Sequence, residues 1–259
     1  MKKDFTIVLG VDRRTLGQLQ LVLPTWKRFK PSLFERRIIV FYDTTQLKTS
    51  EVRSALDLPE YSLIDWPYEG VEYLGDGEDK WTNSQRHKML AGFVHVPARY
   101  VLTPYWLKLD TDAVATGTDD WIDEKWFSES PGIVAQRWGY TKPVDQMRTL
   151  DDWADRHGVP GDSLKIKIEE GSSRLSHPRI ASWCGFFSKF LTVVAAGYAE
   201  KHCGAGQIPV PSQDGYHWYM AQRLVYKTVR TNFKNRGWNV KGTTKGVTEL
   251  VKQTMERAS

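Results

Sequence analysis

The sequence predicts an α/β fold, with a mixed and mostly parallel central sheet flanked by helices. Two observations predict it. Apolar segments of strand length alternate with helical patterns through the first third of the chain, and three of the strand segments stop at an aspartate. Residues 5–11 are apolar and β-branched, run into Asp12, and precede a helical pattern at Leu16, Leu19, Val22, Leu23, Trp26 and Phe29. Pro24 is expected to kink or restart that helix, since proline has no N–H to donate. Residues 37–42, continuously apolar from Ile38 on, end at Asp43, the pattern of a parallel strand covered on both faces. After a short helix, residues 62–66 read as a third strand. This order is that of a Rossmann-like half-sheet, whose ligands gather at the carboxyl ends of the strands.

Residues 67–80, rich in Gly, Asp and Glu, read as an exposed loop leading to a helix over 82–95. Met89, Leu90, Phe93 and Val94 give its apolar face, and three- and four-residue steps back put Arg86 on the same face, where a cation needs an anionic partner. Residues 105–109 form a strand that stops at Asp110-Thr111-Asp112. A short acidic helix at 119–127, a strand at 132–137 and a polar helix at 144–157 follow. Residues 158–178 have no clear period and read as a mobile loop. A strand over 179–187 carries Trp183-Cys184-Gly185, and helices are expected over 189–202, from an N-cap at Ser212 to about Tyr226, and over 247–257.

Apolar residues make up 41% and charged residues 26%, which excludes the disordered and fibrous classes. No run reaches the roughly 18 apolar residues that a membrane helix needs. The start, Met1-Lys2-Lys3-Asp4, leads into a strand without a signal-peptide core, so a cytoplasmic protein with no transmembrane segment is expected. Two cysteines, Cys184 and Cys203, suggest neither a disulfide framework nor a four-ligand zinc site. The net charge of +5 is spread without a Lys/Arg block; it suits anionic substrates and does not indicate nucleic acid as a partner. Eleven tryptophans exceed what a core needs, and their faces commonly stack on sugars or bases, although core packing explains any single one more simply.

The chemistry concentrates at Asp110-Thr111-Asp112. A strand ending in Asp-x-Asp brings two carboxylates to the sheet edge, where they can converge on one hard cation that also bridges phosphate oxygens. Such a cation neutralises the charge that builds on a departing diphosphate. The nucleotide-type half-sheet, the helix bearing Arg86 and then Leu-Lys-Leu-Asp110-Thr111-Asp112 resemble the GT-A glycosyltransferases over about residues 5–230. The resemblance implies a hexosyltransferase-like enzyme that moves sugar from a nucleotide diphosphate sugar to a saccharide or other hydroxyl acceptor, with Mn²⁺ or Mg²⁺ as cofactor. It assigns metal and diphosphate to Asp110 and Asp112, and implies one domain: a nucleotide-binding half at 1–112, an acceptor-side half at 113–230 and a basic tail at 231–259.

Further residues take expected roles from the same resemblance. Asp214, in the first turn of the helix capped by Ser212, matches an acceptor-side carboxylate, the general base of an inverting enzyme, against the simpler role of a capping residue. Val11, Asp12 and Asp43, at strand ends, are placed to meet base and ribose, although such aspartates also form turns; Arg86 is a further donor-binding candidate. Gly185 would give a sugar clearance to the backbone, whereas Cys184 reads as core. Lys108 is a neighbour of the site or plain surface, and His217, one turn beyond Asp214, is more simply structural. Lys234, Arg236, Lys241 and Lys245 would form a basic lid or a solvated basic end. No histidine follows His217 to supply the third metal ligand that several GT-A families have. Two alternatives stay open. Leu109-Asp110-Thr111-Asp112 also resembles the nucleophile motif of HAD-type phosphohydrolases, although a whole α/β half precedes it here, and the chain could be a non-catalytic nucleotide- or glycan-binding protein with a glycosyltransferase-like fold.

Overall fold

A computed structural model describes residues 4–66, 83–138, 144–163, 179–204, 206–210 and 212–257. The chain runs β1 (Phe5–Val11), α1 (Arg13–Phe29), β2 (Ile38–Tyr42), α2 (Thr49–Ala55), β3 (Ser62–Asp65), α3 (Asn83–Tyr100), β4 (Tyr105–Leu109) and β5 (Ala113–Ala115). It continues through β6 (Ile133–Trp138), α4 (Val144–Arg156), β7 (Arg179–Ser188), α5 (Lys189–Cys203), α6 (Gln213–Arg223), β8 (Thr228–Thr231), β9 (Trp238–Val240) and α7 (Thr244–Glu256). The loop expected at 67–80 and residues 164–178 of the second loop lie outside the described residues.

Seven strands form one sheet in the order β3-β2-β1-β4-β7-β6-β8. β3, β2, β1 and β4 are mutually parallel, β7 is antiparallel to both β4 and β6, and β8 is parallel to β6. The mixed, mostly parallel sheet expected from the sequence is therefore present. Every residue of β1, β2 and β4 is buried, because helices cover both faces and each face needs its own apolar set. Val8, Ile39, Phe41 and Trp106 face α3, α5 and α6, whereas Ile7, Leu9, Val40 and Leu107 face α1, α2 and α7. Seven tryptophans, at 26, 106, 121, 153, 183, 218 and 238, are core residues, so most of the tryptophan excess serves packing.

Pro24 does not interrupt α1. Its ring and Gln20, whose carbonyl loses an N–H partner, both lie on the exposed face, where water replaces the missing bond. The acidic helix expected at 119–127 is reduced to a 3₁₀ turn at Glu124–Phe127, capped by Asp123. The basic tail is folded: β9 pairs antiparallel with β5, Trp238 and Val247 are buried, and α7 packs on α1. Arg236 pairs with Asp123 at 3.5 Å and stacks over Trp126.

A buried cation joins these pieces. Lys30, at the end of α1, lies between the rings of Trp121 and Trp238 and donates to the carbonyls of Thr118 and Arg236. Burial lowers its pKa to about 8, partly offset by Asp119.

Candidate functional site

The strand order places a topological switch between β1 and β4: from β1 the chain proceeds outward to β2 and β3, then returns to lay β4 on the other side of β1. Connections leave such a pair in opposite directions and open a crevice at the carboxyl ends. A cavity of about 200 Å³ lies there, lined by Gly10 of β1, Arg14, Thr15 and Gln18 of α1, Met89, Leu90 and Phe93 of α3, and residues 108–112. Close approach of α3 to the sheet shapes it. The ring of Phe41 fits against two glycines; an added Cβ would lie 2.4 Å from its Cζ at Gly10 and 2.5 Å from its Cε2 at Gly92.

Asp110 and Asp112 both line this cavity. Backbone bonds fix their turn: Asp110 N–H donates to Trp183 O at 2.8 Å, and Ala113 N–H donates to Asp110 O at 3.0 Å. Trp26 Nε1–H reaches Ala113 O at 2.6 Å and ties α1 to the strand just beyond the motif. Burial, and then the neighbouring Asp110, raises the Asp112 carboxyl pKa to about 6. Lys108, only 3% exposed, pairs with Asp110 and lies over the Phe93 ring at 4.6 Å. It belongs to the site and not to the surface. Among the described residues no group of three His, Cys, Asp or Glu stands together as a ligand set. Two carboxylates suit a hard divalent cation that takes its remaining oxygens from phosphate and water.

Val11, Asp12, Asp43 and Asp214 are not among the residues that line this cavity. Val11 is a fully buried residue of β1. Asp12 caps α1; its Oδ1 accepts from Thr15 N–H at 2.8 Å and Thr15 Oγ1–H at 2.7 Å, while Asp12 N–H donates back to Thr15 Oγ1. Asp43 folds its own turn, accepting from Thr45 N–H at 2.9 Å, from the Thr45 hydroxyl at 2.7 Å and from the Gln46 amide. Both aspartates hydrogen-bond within their own turns. Arg86 falls in the first turn of α3, with its side chain outside the described residues. Asp214 Oδ1 accepts from Ser212 Oγ–H at 2.6 Å and Gly215 N–H at 2.9 Å in the first turn of α6. Cys184 is buried opposite Leu109, and Gly185 pairs with Lys108 across the sheet. Sequence reasoning missed Gly10, Arg14, Thr15 and Gln18. The available signal was Gln18, an amide at a core-facing position among Leu16, Leu19 and Val22.

His217 is fully buried in α6 against Phe187 and Trp106, with Nδ1 2.7 Å from Gln213 Nε2. Burial lowers its pKa to about 4. A histidine held neutral in this way adds stability that is full above its ordinary value of about 6.5 and is lost as pH falls toward 4, by up to roughly 3 kcal/mol. His217→Leu is therefore expected to flatten the rise in unfolding free energy between pH 4.5 and 7. Denaturant titrations at the two pH values check this, and an unchanged slope contradicts it.

No family model matches the sequence, and no curated protein matches it. Solved structures do resemble it. Core-mannan synthase A (CmsA/Ktr4) from Aspergillus fumigatus, in its Mn/GDP form, aligns with TM-score 0.57 and 11% identity over 92% of this chain and 74% of that one. The mannosyltransferase Ktr4p from S. cerevisiae with GDP gives 0.51 and 11% over 92% and 71%. The galactosyltransferase LgtC with donor and acceptor sugar analogs gives 0.50 and 12% over 89% and 74%. The chain has the mixed α/β fold that these GT-A glycosyltransferases share.

Proposed function

We propose that the chain is a metal-dependent glycosyltransferase that moves a sugar from a nucleotide diphosphate sugar to a hydroxyl acceptor, with a saccharide as the favoured class. One observation carries the reading: the cavity at the β1/β4 switch point, in a fold shared with sugar-transferring enzymes, is lined by the carboxylates of Asp110 and Asp112 together with Arg14 and Lys108. Mn²⁺ or Mg²⁺, when bound, would neutralise negative charge on the leaving diphosphate. Asp110 and Asp112 are the residues to hold it, and Lys108 orients Asp110 through their ion pair. Arg14 and Lys108 set positive charge against phosphate oxygens within a partly enclosed space, where such pairing is stronger than in bulk water.

Val11 and Arg86 are assigned to the nucleotide side, and Asp12 and Asp43 serve it by bracing the two turns that border it. Asp214, held by Ser212 and Gly215, is assigned to the acceptor side, where in an inverting reaction it would take the proton of the attacking hydroxyl. The halves at 1–112 and 113–230 follow this division of labour.

The test is release of nucleoside diphosphate from a panel of nucleotide sugars. Release from one donor class in Mn²⁺ or Mg²⁺ and its loss in chelator are expected. Equal turnover in chelator contradicts the reading, and phosphate release from phosphomonoesters with no nucleotide sugar present favours a phosphohydrolase.

A further inference from the structure

We infer that Gln18 contacts the ligand: its side-chain amide donates a hydrogen bond to a carbonyl or phosphoryl oxygen of a bound nucleoside diphosphate and helps to select the donor. This inference rests on the nucleotide-sugar reading of the cavity. Gln18 is 2% exposed and lines the same cavity as Asp110 and Asp112, yet its Nε2 has no hydrogen-bond partner among the described residues. A buried donor without an acceptor destabilises a fold, so such groups are normally paired.

Apolar packing does not explain the residue. Leu16, Leu19, Val22 and Leu23 fill the core around it, and Leu or Met at position 18 would suit the helix at least as well. Helix placement explains it. Trp26 donates to Ala113 O at 2.6 Å and Thr25 Oγ1 accepts from Ala115 N–H at 3.2 Å, so the second half of α1 is fastened along β5. Stepping back two turns along α1 brings Gln18 beside the residues that precede β5, the Asp-x-Asp turn, with Arg14 one further turn on. A neutral amide there can serve an oxygen of the ligand without adding charge to a site that already holds two carboxylates, a lysine and an arginine.

The experiment compares wild type with Gln18→Met, which keeps length and helix propensity, and with Gln18→Glu, which sets an anion against the ligand. Calorimetric titrations with Mn²⁺ use UDP, GDP, CDP, ADP and inorganic pyrophosphate, and ligand-free melting temperatures are measured in parallel. Gln18→Met is expected to weaken nucleoside diphosphate binding on the order of tenfold. Its melting temperature is expected to rise by roughly 2–4 °C, because the unpaired donor is gone. Gln18→Glu weakens binding further. Equal losses for ADP and pyrophosphate identify a phosphoryl acceptor; losses confined to UDP, GDP and CDP identify a base carbonyl, which adenine lacks. If wild type binds and Gln18→Met binds equally, the inference fails and the reading of the cavity stands. A lowered melting temperature in Gln18→Met marks a structural strut and also overturns the inference. Absence of all binding by wild type removes the reading and the inference together.

Discussion

Asp112→Asn is expected to reduce metal-dependent turnover of the nucleotide sugar by on the order of a thousandfold, with the fold preserved. The amide keeps the size of the side chain but supplies a neutral oxygen where a hard cation needs an anionic one. With Asp110 as the other carboxylate of the pair lining the cavity, halving that charge removes much of the hold on metal and diphosphate. Asp112 is only partly exposed and sits beside Asp110, so the variant also relieves a cavity of one of two like charges. In chelator it should melt at or above the wild-type temperature. Initial rates with and without chelator, together with melting curves, check both parts. Near wild-type turnover, or collapse of the fold, contradicts the account.

Arg223→Leu is expected to cost on the order of 3 kcal/mol of stability. Arg223 lies at the end of α6 with its side chain 4% exposed, and it ties three pieces of chain together. Its Nη2 donates to Asp155 at 2.5 Å, its Nη1 donates to Tyr219 Oη at 2.9 Å and lies 3.5 Å from Asp151, and its Nε donates to Val159 O at 3.2 Å. Asp155 is half exposed, so that contact contributes least through solvent screening. The larger loss comes from the interior. Without the guanidinium, Tyr219 Oη–H still reaches Asp151 at 2.7 Å, but the Asp151 carboxylate and the Val159 carbonyl lose a charged donor in a nearly dry place. A fall in melting temperature of roughly 6–12 °C follows for a chain of this size. A shift below about 2 °C would show that α4 and α6 do not depend on this cation.

Much of the fold was readable because burial on both faces writes itself into sequence. β2 reads as an unbroken apolar run, β1 and β4 are apolar apart from Thr6 and Lys108, and all three are fully covered strands. Local rules failed where the surroundings decided. Pro24 remained inside α1 because its lost bond faces water, and residues 119–127 gave only one 3₁₀ turn despite their acidic pattern. The antiparallel placement of β7 between β4 and β6 depends on long-range pairing that no local pattern records.

The candidate site divides in the same way. That Asp110 and Asp112 reach the crevice was legible because a strand end fixes where their side chains begin. Asp12 and Asp43 carried the same strand-end signal, but each spends its carboxylate on the turn that it starts. Position after a strand does not say whether a carboxylate turns back on its own backbone or faces the crevice. Arg14 and Gln18 were not legible because their place opposite the motif follows from the bonds of Trp26 and Thr25 to β5, nearly ninety residues away in sequence. The tryptophans mislead in the other direction, since an excess that suggested sugar stacking proves to be largely core.

The central claim is that Asp110 and Asp112 share one divalent cation with a nucleoside diphosphate. Crystals grown with Mn²⁺ and the nucleoside diphosphate released in the donor assay, with data collected at the manganese edge, test it most directly. One anomalous peak is expected within about 2.3 Å of a carboxylate oxygen of both aspartates and of a phosphate oxygen. A nucleotide bound elsewhere, or a cavity at the β1/β4 crevice with neither metal nor phosphate in it, would contradict it.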